Sequence, residues 1–181
     1  MTPVDPARRT LLKAAIALGL GVGQADPAAS RPKTGDLLVK AADAAKTPLT
    51  PGDIPQDAPQ TLAWAMDAGD KTVRSGSRLN QLILVRFDPA ALTAETRSRA
   101  ADGVVAYTSI CTHTGCDIDD WQPDERMLVC QCHSSIFDPR DGAKVVDGPA
   151  PRPLPALPLK IVDGLLAVAA PFTAPVTFEK G

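Results

Sequence analysis

Every cysteine and every histidine of this chain lies in one of two short segments. The first reads Cys-Thr-His-Thr-Gly-Cys over 111–116, and the second reads Cys-Gln-Cys-His-Ser-Ser over 130–135. Thiolates and imidazoles are among the side chains that bind zinc and iron in proteins. One kind of [2Fe-2S] cluster takes two thiolates on one iron and two imidazoles on the other, and each segment offers both ligand types. The sequence therefore predicts that the two segments form one iron–sulfur site.

Other sites built from cysteine and histidine fit these segments less well. The Cys-x-Cys-His spacing of the second segment is not one that structural zinc sites usually have. Covalent attachment of c-type haem requires Cys-x-x-Cys-His, which the chain lacks. Two plain disulfides would leave both histidines beside the cysteines unexplained. An iron–sulfur centre is therefore the favoured interpretation.

A [2Fe-2S] cluster needs four protein ligands, and the two segments offer six. Together they resemble the Rieske proteins of cytochrome bc complexes and of arsenite-oxidase-type enzymes, whose pattern is C-T-H-x-G-C with C-x-C-H-x-S. The resemblance implies two ligands for each iron, which are Cys111 and Cys130 on one and His113 and His133 on the other. It also implies that Cys116 and Cys132 form a disulfide between the loops. Ser135 is expected to donate a hydrogen bond to a cluster sulfur.

The same resemblance implies an all-β Rieske fold. We expect an antiparallel β-sandwich base, a cluster-binding subdomain over about 105–150 and one short helical insertion, all within a domain over 35–181. Runs of β-branched and apolar residues predict the strands, which are 36–40, 61–66, 81–87, 103–108, 126–129, 159–162 and 165–169. A proline near its start predicts the helix over 89–101. A proline-rich segment over 148–155 corresponds to the loop that covers the cluster in the family.

The residues between the two motifs are strongly acidic. The run from Asp117 to Glu125 contains five carboxylates and Trp121. Two interpretations are open, a solvated turn or an electrostatic docking surface for a basic redox partner. The solvated turn is the favoured one.

Residues 1–25 are predicted to be a twin-arginine signal segment. Arg8-Arg9-Thr10-Leu11-Leu12-Lys13 resembles the export motif, and an apolar stretch over 14–23 follows it. An ordinary amphipathic helix is the alternative. As a helix the stretch would reach about 15 Å, about half of a hydrocarbon core, so association with a membrane is expected only through an uncleaved N-terminal segment. Residues 26–34 are predicted to be a linker, with cleavage after Ala25 and a folded protein in the periplasm.

Composition excludes other classes of function. The 181 residues suffice for one domain with a core, and 18 prolines and 13 glycines favour short strands and loops. With 19 basic and 21 acidic residues, the chain has no excess of positive charge for nucleic acid. No histidine is left over to bind the second iron of a ring-hydroxylating oxygenase. We therefore expect a protein that carries electrons and performs no bond chemistry of its own.

Two positions bear on the type of Rieske protein. Thr114 stands where quinol-oxidising members usually have leucine, and Phe137 stands where they usually have tyrosine. The stretch 134–138 resembles the small subunits of arsenite-oxidase-type enzymes, whereas Gly148-Pro-Ala-Pro151 resembles the cytochrome bc type. The expected partners are a larger oxidoreductase catalytic subunit of the arsenite-oxidase type and a cytochrome-type electron acceptor. The alternative is a quinol-oxidising subunit of a cytochrome bc complex.

Overall fold

The computed structural model describes residues 29–178, and their regular structure is almost entirely antiparallel β-sheet. The strands are β1 (Leu37–Lys40), β2 (Thr61–Met66), β3 (Leu82–Arg86), β4 (Val104–Thr108), β5 (Asp120–Gln122), β6 (Met127–Cys130), β7 (Ser135–Asp138), β8 (Lys144–Asp147), β9 (Leu159–Val162) and β10 (Leu165–Val168). A single short helix, α1 (Ala94–Ser98), is found among the described residues. The all-β prediction with one short helical insertion is confirmed.

Six strands form the base sheet in the order β4-β3-β2-β1-β10-β9. The two edges of this sheet approach each other, because Leu157 N–H donates to the Ala106 carbonyl at 2.9 Å and Thr108 N–H donates to the Pro155 carbonyl at 3.0 Å. Alternate residues of each strand point into the enclosed core, where Leu38, Leu82, Leu84, Val104, Ala106, Leu166 and Val168 are buried. The base is therefore one curved sheet around its own core.

The other four strands form a small sheet in the order β5-β6-β7-β8. A second core includes side chains of β3 and β4 that point away from the first, Ile83 and Tyr107 among them, and Leu128 and Phe137 from the small sheet. Both faces of β3 are covered, which explains why Leu82 to Val85 are all buried. The Tyr107 hydroxyl donates to the Pro139 carbonyl at 2.8 Å, and burial raises the pKa of Tyr107, so the phenol stays a donor.

The helical insertion is shorter than the sequence predicted. Pro89–Ala91 forms a single 3₁₀ turn that Asp88 caps, and α1 starts anew after Thr93. Leu92, between the two, is only 3% exposed. Burying this side chain requires extended backbone at Leu92, so one continuous helix over 89–101 cannot form.

Three strands were not predicted. β5 lies within the acidic run, where only Trp121 of its three residues is buried, and β7 and β8 follow the second motif. These strands carry too few apolar residues to show a clear period-two pattern. They form strands because they pair with β6 and with one another.

The first described residues contact the segment that connects β2 to β3. Arg31 donates to the Leu79 carbonyl at 2.7 Å, and Arg74 donates to the Ser30 hydroxyl. The predicted signal segment over 1–25 lies outside the described residues. Within 29–178 there is no helix long and apolar enough to cross a bilayer.

Candidate metal centre

The first loop, 109–118, connects β4 to the small sheet. Its ends are held by Ile118 N–H, which donates to the Ser109 carbonyl at 2.8 Å. Inside it, Cys111 N–H donates to the Cys116 carbonyl at 2.8 Å, and Gly115 N–H donates to the Cys111 carbonyl at 3.1 Å. Gly115 has a φ of +81°, a conformation that favours glycine. The loop therefore closes on itself and fixes the backbone of Cys111.

The second loop, 131–134, is the turn between β6 and β7. Cys130 pairs with Ser135 across the two strands, so both side chains lie on one face of the small sheet. The next residues inward on that face, Leu128 and Phe137, also pair and are fully buried. The pleat thus directs Cys130 and Ser135 towards the first loop.

The proline-rich segment, 148–155, contacts both loops. The Thr112 hydroxyl donates to the Arg152 carbonyl at 2.7 Å, and Ala150 N–H donates to the Ser135 hydroxyl oxygen at 3.2 Å. Gly148 has a φ of +87°, and a Cβ there would lie 2.5 Å from the Ser135 Cα. Only glycine allows this approach, which brings the segment against the second loop.

Cys116 and Cys132 form a disulfide between the two loops, with their Cα atoms 6.5 Å apart. This confirms the predicted pairing. Cys111 and Cys130 are free and buried, each 1% exposed. The sulfur atoms of Cys116, Cys130 and Cys132 all lie within 4.8 Å of one another. Because the disulfide sulfurs are not thiolates, Cys130 is the one member of this group that can bind a metal as a thiolate.

The two histidines meet at the outer side of the site. Their ring centroids are 4.6 Å apart, with the rings nearly perpendicular at 86°. His133 is exposed and His113 is half-buried. The Nδ1 atom of His113 is buried and has no hydrogen-bond partner. A buried nitrogen without a partner fits a metal-binding role, because it would otherwise be left desolvated and unpaired.

The environment of the Cys130 thiol favours its neutral form until metal binds. Burial raises the pKa of the Cys130 thiol to about 11, and a hydrogen bond with Cys111 adds to the rise. Metal binding requires the thiolate, so uptake of the cofactor is coupled to release of a proton. Two contacting buried thiols beside two imidazoles are the donor set that a [2Fe-2S] cluster of mixed ligation needs.

The fold and the site together define an iron–sulfur protein with cysteine and histidine as the available ligands. Residues 65–158 match the Rieske [2Fe-2S] domain family. The chain is 34% identical over 135 residues to the cytochrome bc1 complex Rieske iron-sulfur subunit of Streptomyces lividans, which covers 71% of this chain and 78% of that protein. The chain therefore belongs to the Rieske family, and its cofactor is a [2Fe-2S] cluster. Both predictions are confirmed.

One other relative is named for a different assembly. A protein of Haloferax mediterranei, named as the Rieske subunit of a respiratory nitrate reductase, is 35% identical over 119 residues, covering 62% of this chain and 53% of that protein. The chain spans only 37% of the Rieske subunit of Streptomyces coelicolor. The cyanobacterial plasma membrane Rieske protein of Synechocystis, known from a crystal structure, is 27% identical in sequence to this chain. The match covers 50% of this chain and 77% of that chain, with a TM-score of 0.36.

Three residues that contact the first loop were missed by the sequence analysis. Arg78 donates to the Gly115 carbonyl at 2.7 Å, the Arg152 carbonyl accepts from Thr112, and the Phe178 ring packs on Gly115. The proline-rich resemblance pointed to the neighbourhood of Arg152. Nothing in the sequence pattern singles out Arg78 or Phe178, because both reach the loop from distant parts of the chain.

Proposed function

We propose that this chain relays single electrons through a [2Fe-2S] cluster held by four side chains, which are Cys111 and Cys130 on one iron and His113 and His133 on the other. When bound, the cluster supplies a one-electron couple within the broad range of roughly −150 to +300 mV for this ligand set. The buried thiols hold the inner side of the site, and the imidazoles form its outer side. Ser135 is proposed to orient its hydroxyl proton towards a cluster sulfur, since its oxygen already accepts from Ala150.

The observation that carries the proposal is the pair of imidazoles in edge-to-face contact, one of them exposed. An exposed ligand side chain gives a redox partner a short covalent path to the metal. An imidazole ligand can also couple proton release to oxidation, because a more positive metal favours the deprotonated ring. His133 is therefore proposed as the contact point for electron transfer, with His113 behind it.

We propose that the electron donor is a larger oxidoreductase catalytic subunit of the arsenite-oxidase type and that the acceptor is a cytochrome. Thr114 supports this assignment, because its half-buried side chain carries a hydroxyl at a position where a quinol-facing loop is expected to be apolar. The side chain of Phe137 is fully buried beneath the site and lacks the hydroxyl of the tyrosine that quinol-oxidising members usually carry.

The second candidate is quinol oxidation within a cytochrome bc complex. It is favoured by the relatives named as bc1 Rieske subunits and by the Gly-Pro-Ala-Pro start of the proline-rich segment. The two candidates share the cluster and its ligands. They differ in the protein that supplies the electron.

One purification from the native host separates them. The chain, tagged at its C-terminus, is isolated with its partners in mild detergent, and the metals and haems of the complex are measured. Molybdenum in the complex, with reduction of the cluster by arsenite in electron paramagnetic resonance, is expected for the first candidate. A b-type haem, with reduction by a quinol and not by arsenite, establishes the second.

We propose that the protein is exported folded to the periplasm by the twin-arginine route. The motif at Arg8 and Arg9 supports this, since folded cargo is what a preassembled iron–sulfur protein requires. Replacement of both arginines by lysine is expected to leave the cluster-loaded protein in the cytoplasm. Unchanged recovery in the periplasmic fraction would refute the export route.

A further inference from the structure

A groove of about 640 Å³ lies between residues 59–62, around the start of β2, and residues 117–123, which run from the end of the first loop through β5. Its floor is apolar. Leu62 is 42% exposed there, although it belongs to a strand paired on both sides, and Ile118 and Trp121 line the opposite wall. We call this feature the acidic groove, because three carboxylates, Asp117, Asp119 and Asp120, also line it.

Two polar atoms in the walls of the acidic groove lack hydrogen-bond partners. Trp121 is 9% exposed, and its indole Nε1 donor is unpaired, as is the Oε1 acceptor of Gln60 across the groove. Buried donors and acceptors are normally satisfied, and leaving one unpaired costs about 1–3 kcal/mol. A peptide backbone offers the matching acceptor and donor in one unit. Both atoms are buried within the walls, so they would pair with an occupant only after their side chains turn towards the groove.

The charge of the acidic groove is negative after its ion pairs are counted. Asp117 is paired with Arg78 at 2.9 Å, whereas Asp119 is exposed and Asp120 has no cationic partner among the described residues. Asp120 accepts from the Gln131 side chain and from the Trp121 N–H at 2.8 Å, and these bonds hold the pKa of its carboxyl below the usual range. Asp120 therefore remains ionised at neutral pH.

The acidic groove touches both loops of the metal centre. Asp117 directly follows the disulfide residue Cys116, and Gln131, which contacts Asp120, precedes Cys132. A protein seated in the groove would thus contact the end of the first loop directly and the second loop through the contact of Asp120 with Gln131. An apolar floor with a negative rim selects a segment in which an apolar side chain is flanked by lysine or arginine.

We propose that the acidic groove is the docking site for the electron-transfer partner, which presents a basic segment with an apolar residue at its centre. The inference rests on the proposed electron-transfer function. Long-range attraction brings the basic segment to the rim, and the apolar side chain then packs on Leu62. One electron passes from the reduced cluster to the partner's oxidised haem, so the cluster loses and the haem gains one electron.

The test uses the cluster-loaded chain and horse heart ferricytochrome c, a basic haem protein, in stopped-flow mixing at several salt concentrations. The variant Asp119→Asn with Asp120→Asn removes two rim charges, while the amide oxygen introduced at position 120 remains an acceptor for the Trp121 N–H. Asp70→Asn with Asp163→Asn is the matched control, because Asp70 also accepts from a backbone N–H and both residues are exposed outside the groove. Ferricyanide, a small anion, serves as the oxidant that needs no docking.

The rim variant is expected to react with ferricytochrome c about 3- to 10-fold more slowly at low salt, with a weaker salt dependence. The control variant is expected to react at nearly the wild-type rate. At high salt, where electrostatic attraction is screened, Leu62→Ser should lower the rate of reaction with ferricytochrome c. Ile161→Ser, which replaces an exposed apolar residue of β9, should leave that rate unchanged. Equal rates for rim and control variants would overturn the docking site. If ferricyanide oxidises none of the proteins, the electron-transfer function itself is wrong.

Discussion

The aromatic ring of Phe178 packs directly on the backbone of Gly115 in the first loop, so that a Cβ at residue 115 would lie 2.7 Å from the ring. Phe178 is brought there by the chain before it, because Arg152 donates to the Thr177 hydroxyl at 2.6 Å and to the Thr177 carbonyl. The carbonyl of Arg152 in turn accepts from Thr112. The first loop is therefore clamped from two directions by residues remote in sequence.

Gly115→Ala is expected to destabilise the metal centre. The substitution combines a positive φ with overlap against the Phe178 ring, so a loss of about 2–4 kcal/mol in unfolding free energy is expected, seen as earlier bleaching of the visible spectrum on heating. Gly142→Ala is the control, since it has a φ of +63° and no atom within 4 Å of the added Cβ. Equal losses in the two variants would mean that contact with Phe178 has no effect.

The two pairs of cysteines are expected to respond differently to replacement. Cys111→Ala or Cys130→Ala removes a proposed metal bond and should abolish the [2Fe-2S] spectrum. Cys116→Ser and Cys132→Ser each remove the disulfide, so both should keep the spectrum and lose a similar amount of stability, about 2–4 kcal/mol. Loss of the cluster in all four variants would contradict this division of roles.

Ser135→Ala is expected to lower the reduction potential. The Ser135 hydroxyl is buried, and its oxygen accepts from Ala150, which leaves its proton for a cluster sulfur. A donor to sulfur stabilises the more negative reduced state. If this hydrogen bond stabilises the reduced state by about 1.4 kcal/mol, its loss lowers the reduction potential by roughly 60 mV for a one-electron couple. Protein-film voltammetry measures this shift. Ser134→Gly, at an exposed position with positive φ, serves as the control and should leave the potential unchanged.

Phe137→Tyr is expected to raise the potential. Phe137 lies two residues from Ser135 on the same face of β7 and packs in the core that contains Cys111 and Cys130. A phenol at this position adds a donor close to a ligand sulfur. Voltammetry of the variant checks the direction, and a potential equal to the wild type would exclude this role for position 137.

Arg74→Met is expected to destabilise the base sheet strongly. Arg74 and Asp36 are 2% and 4% exposed, and the guanidinium donates to both Asp36 oxygens. Removing one partner leaves a buried uncompensated charge, which costs about 3–5 kcal/mol. Urea unfolding should show this loss, whereas Arg126→Met, which breaks a surface pair with Asp57, should cost at most about 1 kcal/mol. Similar midpoints for the two variants would contradict the argument.

The chemistry of the site could be predicted from the sequence because ligand chemistry depends on residue type and local spacing. Two segments hold every cysteine and histidine, and their resemblance to the Rieske pattern pointed to the family, the cofactor and the disulfide that the structure and the comparisons confirm. The strands with long apolar runs, such as β3 and β4, were also predicted. Local sequence is sufficient in these cases.

The surroundings of the site were decided only by tertiary structure. β5, β7 and β8 are strands because they pair with β6 and its neighbours, and the helical insertion is short because Leu92 is buried in the second core. The contacts of Arg78, Arg152 and Phe178 with the first loop join residues far apart in the chain, as does the acidic groove between the two sheets. Such contacts depend on how the sheets pack, and no local pattern of residues encodes them.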